Sequence, residues 1–160
     1  MESPDVLQFG EIEYRFSVAT WSDKSIALSK IRETVFIQEQ FVPVELEWDE
    51  HDATAWHFLI TEHVQHTSTG GEVIATARLL PDGHFGRMAV LKPYRLKGIG
   101  TFLIRQVEAF AKLQKLTRID LAAQTHAIGF YHQLGYSLTG DMFMDAGIPH
   151  RNMFKLLSEE

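Results

Sequence analysis

The sequence predicts a single α/β domain, 1–160, in which a mixed β-sheet carries helices on its faces. Three observations lead there. Segments of period two and segments of helical period follow one another in the order strand, helix, three strands, long helix, strand, helix, two strands. The 160 residues are 45% hydrophobic, with eleven Phe, four Tyr and three Trp and no low-complexity tract, which is enough apolar surface to offset the entropy of ordering one core. One strand-to-helix junction, 90–101, carries two glycines and several basic residues.

Ile12, Tyr14, Phe16 and Val18 alternate strictly and predict a strand over 12–18. Ser22 or Asp23 is expected to cap the next helix, whose apolar positions Leu28, Ile31, Val35 and Phe36 recur at helical spacing to about Gln38; Pro43 stops any continuation. Segment 45–52, Glu-Leu-Glu-Trp-Asp-Glu-His-Asp, has no period and reads as an ordered acidic loop. The runs 56–64 and 73–80 flank the turn-rich segment 67–71 and predict an antiparallel hairpin, followed by a strand over 85–91. Ile99, Phe102, Leu103, Gln106, Val107, Phe110 and Leu113 then mark one face of a long helix from Gly98 to about Gln114. A short strand over 119–123, a short helix over 127–134, and a closing hairpin of 136–144 with 152–157 complete the chain.

A formal charge of −6 lacks the basic patch that a phosphate backbone requires, so no nucleic-acid partner is expected. The absence of cysteine removes disulfides, thiolate catalysis and Cys-based zinc sites. No apolar run approaches the roughly 20 residues of a membrane helix, and the opening Met1-Glu2-Ser3-Pro4-Asp5 is acidic where a signal peptide is basic. The expectation is a soluble cytoplasmic protein that neither enters nor binds a membrane. Eight histidines raise the question of a metal, yet no HExxH is present and His51, Asp52 and His57 fall on a loop and a strand start, so no catalytic metal is expected.

The junction 90–101 is the most informative segment. A helix N-terminus leaves backbone N–H groups unpaired and concentrates partial positive charge, so it attracts anions, above all phosphates. Gly98 and Gly100 allow the tight curvature that aims successive N–H groups into one concavity, and Arg95 and Lys97 add charge. The spacing fits neither GxxxxGK[ST] nor GxGxxG. Taken alone, it also fits an ordinary capped helix after a glycine turn.

Arg95-x-x-Gly98-x-Gly100 resembles the pyrophosphate-binding loop of GNAT N-acetyltransferases, and the order of elements along nearly the whole chain is similar to theirs. Three longer strings resemble the bacterial ElaA-like branch: Phe36-Ile37-Gln38-Glu39-Gln40, Leu46-Glu47-Trp48-Asp49-Glu50-His51-Asp52 and Ala146-Gly147-Ile148-Pro149-His150. The resemblance implies the GNAT acyl-CoA N-acyltransferase fold, a central, mostly antiparallel sheet with helices on both faces. It implies acetyl-CoA as acyl-donor cosubstrate and direct attack by a primary amine of a small molecule, peptide or protein. A homodimer is among the open assembly states.

Carried over residue by residue, the resemblance assigns the pantetheine arm to the strand backbone at Met88, Ala89 and Val90, within 87–91. It assigns the pyrophosphate to Arg95, Leu96, Lys97, Gly98, Ile99, Gly100 and Thr101, with Gln124, His126 and Phe130 as further coenzyme contacts. Tyr131 is the expected acid for the departing thiolate; a phenol of ordinary pKa near 10 can serve a thiol near 8.5, although the same ring could simply pack. The backbone N–H of Met88 or a neighbour is expected to polarise the thioester carbonyl, a contribution of about 3–4 kcal/mol. For the amine, Glu39, Glu47, Asp49 and His57 are unranked candidate bases, Glu47 and His57 being carried as catalytic. Gln38, Glu39, Trp48, Asp49 and Arg78 are the candidate acceptor contacts, with Arg78 reading either as a carboxylate ligand in the cleft or as an outward arginine. As a group, the acidic segment is expected to attract a cationic acceptor. Gln124 and His126 could equally cap the helix after them. The alternative function is an acyl-CoA-binding or regulatory module of the same fold without turnover.

Overall fold

In the computed structural model, which describes residues 5–68 and 70–158, the alternating segment near the N-terminus forms strand β2 (Ile12–Ala19), preceded by a short β1 (Val6–Phe9). The acidic opening 1–4 and Thr69 of the turn-rich segment lie outside the described residues. Helix α1 (Trp21–Arg32) is capped by Thr20, whose side chain accepts from the Asp23 N–H, rather than by Ser22 or Asp23. The turns continue as a π-helical segment, Glu33–Glu39. The acidic segment holds two short helical pieces, α2 (Val44–Glu47) and a 3₁₀ turn, Glu50–Ala53, separated by Trp48 and Asp49.

The remaining elements are β3 (Trp56–Val64), β4 (Gly70–Leu79), β5 (His84–Val90), α3 (Ile99–Leu113), β6 (Arg118–Gln124), α4 (Ile128–Gln133), β7 (Ser137–Asp145) and β8 (Ile148–Leu156). Among the described residues the strands form one sheet in the order β1-β2-β3-β4-β5-β6-β8-β7. Every pair is antiparallel except β5 with β6. This is the mostly antiparallel mixed sheet that the sequence led us to expect, with both hairpins in place.

Helices cover both faces. Ile99, Leu103, Ile104 and Val107 of α3 pack with Phe58, Ile60, Ala75 and Leu121 in the main core, which also takes Tyr131 of α4. On the other face, Ile31, Val35 and Phe36 form a smaller core with Ala89. Side chains alternate along a strand, so each of these residues marks a face of the sheet. No helix among the described residues is long and apolar enough to cross a membrane.

Candidate active site

The parallel neighbours β5 and β6 are paired only through His84 with Asp120 and Phe85 with Leu121. Beyond that point β5 runs on to Val90 and β6 to Gln124 without pairing to each other, so the strands splay and open a cleft of about 1090 Å³. A bulge in β5 contributes to the divergence. Thr76 faces Ala89 and Arg78 faces Gly86, so two steps along β4 are matched by three along β5. The extra residue falls at Arg87 and Met88, and Arg87 takes a φ of 51°, a left-handed conformation that costs a side-chain-bearing residue about 1 kcal/mol or more. A bulge bends its strand and leaves one residue out of the ladder, and Met88 beside it lines the opening.

One wall of the cleft is the start of α3. Gly98 occupies the N-cap with φ 80°, supplies no side-chain cap, and no acid lies in the first turn. The Phe102 N–H bonds back to the Gly98 carbonyl, leaving the N–H groups of Ile99, Gly100 and Thr101 as first-turn donors. All three residues line the cleft. Position 100 is closely packed: a Cβ there would stand 3.3 Å from Phe130 Cζ, so the ring would have to give by a few tenths of an ångström, and 3.9 Å from Met88 Cε, an ordinary contact. That contact seats the helix start directly against α4 and the bulged strand. Arg95 donates from Nε to the Val90 carbonyl (2.8 Å) and from Nη2 to Glu39 (2.8 Å), tying the loop to the π-helical segment across the cleft mouth. Lys97 lies over the Tyr94 ring at 5.8 Å and does not line the cleft. An uncapped helix start beside basic side chains, opening onto a slot between splayed strands, fits the diphosphate and arm of an acyl-CoA.

Tyr131 projects from α4 into the same cleft. Its ring packs edge-on against Phe130 and Tyr136, at 5.1 and 5.8 Å between centroids. Burial pushes the phenol well above its ordinary pKa, so it stays an O–H donor at neutral pH. The neighbouring Tyr136 hydroxyl donates to Glu108 at 2.9 Å, whereas that of Tyr131 has no hydrogen-bond partner among the described residues.

The inward carboxylates of the acidic segment are paired with arginines. Arg32 donates from Nε to Glu47 (2.8 Å) and from Nη1 to Asp52 (2.8 Å); Arg78 donates from Nη1 to Asp49 (2.7 Å) and Asp52 (3.0 Å). Arg87 completes the set with Asp49 at 3.2 Å. Three arginines meet three of the segment's five carboxylates, while Glu45 and Glu50 are exposed. Arg78 is neither outward nor unengaged: it is buried, lines the cleft and is held by two aspartates. Glu47 also lines the cleft, and burial raises its carboxyl against the pull of Arg32 and Arg87.

Several expected site residues stand elsewhere. His57 is buried, does not line the cleft, and directs Nε2 at the Asp52 carbonyl (2.8 Å) with its ring 5.4 Å from that of Trp21. Burial lowers its pKa and keeps it neutral. Trp48 covers the Arg32 guanidinium at 5.0 Å, outside the lining, and Gln38, Glu39 and Asp49 are likewise not among the lining residues. Gln124 and His126 do line the cleft, and neither side chain caps a helix, although Gln124 stands at the N-cap of the 3₁₀ turn Thr125–Ala127. Gln124 instead donates to Gln40 (2.9 Å) while its amide oxygen meets His126 Nε2 (2.7 Å), a chain that bridges the two walls. Met88, Ala89, Val90, Leu96 and Phe130 line the cleft as well.

Reading the sequence alone missed the ion-pair roles of Arg32, Asp52 and Arg87 and the places of Gln40 and His150 in the cleft lining. Only Arg32 left a signal: it shares a helix face with Leu28, at i and i+4, so a charge falls on the apolar stripe and calls for a buried partner. The others depend on strand pairing across long sequence separations.

A sequence profile of the acetyltransferase (GNAT) domain family matches residues 20–157. The chain is 39% identical over 146 residues to YyaT, an uncharacterised protein of Bacillus subtilis (strain 168), covering 88% of this chain and 94% of that one. An acyl-CoA N-acyltransferase from Pseudomonas aeruginosa superposes with a TM-score of 0.75 at 25% identity, over 89% of this chain and 99% of that one. ElaA of Escherichia coli superposes with a TM-score of 0.73 at 24% identity, over the same shares of the two chains, a likeness of fold.

Proposed function

The chain belongs to the GNAT acetyltransferase family, with that family's mixed α/β fold, and from this premise we propose that it is an N-acetyltransferase acting from acetyl-CoA on a primary amine, with Tyr131 as the acid. Bound acetyl-CoA supplies an activated thioester, whose acyl carbon bonds to the amine nitrogen as its carbon–sulfur bond breaks, one proton passing overall from nitrogen to sulfur. The chain's own residues divide the remaining work. First-turn N–H groups of Ile99, Gly100 and Thr101 hold the diphosphate, beside Arg95 on the same wall. The bulged backbone at Met88 presents an N–H toward the thioester oxygen, a preorganised donor of the kind that stabilises a developing oxyanion. Tyr131 hands its hydroxyl proton to the leaving sulfur.

The observation that carries this reading is a single cleft with an uncapped helix start on one wall and an unpartnered, protonated phenol on another. The test is a panel of primary amines offered with acetyl-CoA and read by release of free thiol. The reading requires thiol release that depends on one amine class. Binding of acetyl-CoA with no thiol release from any amine would instead identify a non-catalytic acyl-CoA-binding module.

A further inference from the structure

The string Ala146-Gly147-Ile148-Pro149-His150 has no part in the chemistry described so far. Its local structure is tightly determined. Ala146 and Gly147 take positive φ values of 51° and 76° between the paired residues Asp145 and Ile148, the two-residue turn that closes the β7–β8 hairpin and sets its register. Two residues on, His150 places Nδ1 2.7 Å from the Ile148 carbonyl. A carbonyl only accepts, so Nδ1 carries the proton of the neutral ring and Nε2 keeps the lone pair. Phe143, cross-strand from His150, stacks on the imidazole at 5.8 Å and 22° and fixes its plane. Nε2 has no hydrogen-bond partner among the described residues, and the buried His150 lines the cleft.

Register gives the side of the sheet. Leu121, Ala123 and Met153 belong to the core that contains Tyr131. Their neighbours Ala122, Gln124 and Asn152 therefore face the other way, as the bond from Gln124 to Gln40 requires. His150 pairs directly with Gln124, and residues directly opposite share a face. The imidazole and the Tyr131 phenol thus border the opening from opposite faces of the sheet. Of the other proton acceptors of the lining, Glu47 is held by Arg32 and Asp120 by Arg118, while His84, His126 and Asp145 are exposed to solvent; His150 is the buried one with an open lone pair.

We propose that His150 is the base of the transfer, a reading that rests on acyl transfer to an amine. As the carbon–nitrogen bond forms and the carbon–sulfur bond breaks, the nitrogen's surplus proton passes to Nε2. Tyr131 supplies the proton that sulfur takes, and solvent restores both groups. Base and acid then serve different atoms from different faces and do not compete for one position.

Two measurements test this. Native protein treated with diethyl pyrocarbonate and mapped by peptide mass is expected to be carbethoxylated at His150 and not at the sealed His57; an unmodified His150 beside a modified, exposed His84 overturns the assignment of an open lone pair. With an amine identified by thiol release, His150→Gln is expected to lower kcat/KM by about 10²–10⁴ while binding acetyl-CoA as the wild type does, and imidazole is expected to restore part of the activity of His150→Ala. A His150→Gln protein as fast as wild type removes the base alone. A wild type that releases thiol with no amine removes the transfer reading and the base with it.

Discussion

Arg32 and Asp52 meet at 2.8 Å with side chains only 1% and 5% exposed, and the same guanidinium reaches Glu47 and its backbone carbonyl. Removing one partner of such a buried pair strands the other without counter-charge. Arg32→Ala leaves Glu47 and Asp52 so placed and is expected to destabilise the fold by about 3–5 kcal/mol. Urea unfolding with an unchanged slope measures it; a loss under about 1 kcal/mol would show that water or a neighbouring arginine compensates.

The same cluster gives stability a pH dependence whose sign can be worked out. His57 is held neutral by burial, below its ordinary pKa, so on acidification the unfolded chain binds a proton first. Its contribution is complete above about pH 6.5 and is lost as the pH falls. Burial acts to raise Asp52, but Arg32 and Arg78 outweigh it and hold the carboxyl low, a contribution lost only below about pH 4. Glu47, raised by burial, has the opposite sign: its contribution is present below about pH 4.5 and is lost as the pH climbs. Melting temperatures of wild type and His57→Gln between pH 5 and 8 isolate the histidine. The two curves are expected to converge toward pH 5; parallel curves would mean that His57 does not titrate on unfolding.

At the alkaline end, Tyr14 is pushed up to about 12, mainly by burial, and Tyr94, Tyr131 and Tyr136 are raised as well. These phenols favour the fold fully below about pH 10, where the unfolded chain is also protonated, and the advantage is lost above it. The melting temperature is expected to decline beyond about pH 10, less steeply in Tyr131→Phe. An equal decline in both would remove Tyr131 from that set.

Tyr131→Phe keeps the ring packing on Phe130 and Tyr136 and deletes a hydroxyl without a partner. Stability at neutral pH is therefore expected to change by less than about 1 kcal/mol, while turnover falls about 10²–10⁴-fold with acetyl-CoA affinity unchanged. Thiol release at the wild-type rate would assign the proton to water.

Much of the fold was legible because burial writes its period into the sequence. Alternation along 12–18 and the apolar face of 99–113 each predicted an element that the structure contains. β1 escaped because four half-buried and exposed residues at a sheet edge have no period to read, and the cap of α1 was misplaced because Thr20 precedes two further good capping residues. The loop at Gly98 was visible as a motif; the splay beside it was not, since it depends on where β5 stops pairing with β6 and on a bulge at Arg87. The ion pairing inside the acidic segment was not legible for a physical reason. Composition counts charges but not partners, and Arg32, Arg78 and Arg87 arrive from 15 or more residues away. His150 belongs to the same class, placed by pairing with Gln124 and not by any local pattern.

The central claim is that the first turn of α3 holds the diphosphate of an acyl-CoA, and thermal unfolding with acetyl-CoA tests it most directly. At 100 times its dissociation constant the ligand should add about 2.7 kcal/mol to the native state, a rise of roughly 5–10 °C for a domain of this size. Thr101→Asp sets a carboxylate in that turn, where the helix welcomes it by about 0.3–1 kcal/mol and a bound anion does not. The expected result is a free-protein melting temperature at or above that of wild type, with most of the ligand-induced rise lost. A wild type that does not respond to acetyl-CoA, or a variant that responds as strongly as wild type, would contradict the claim.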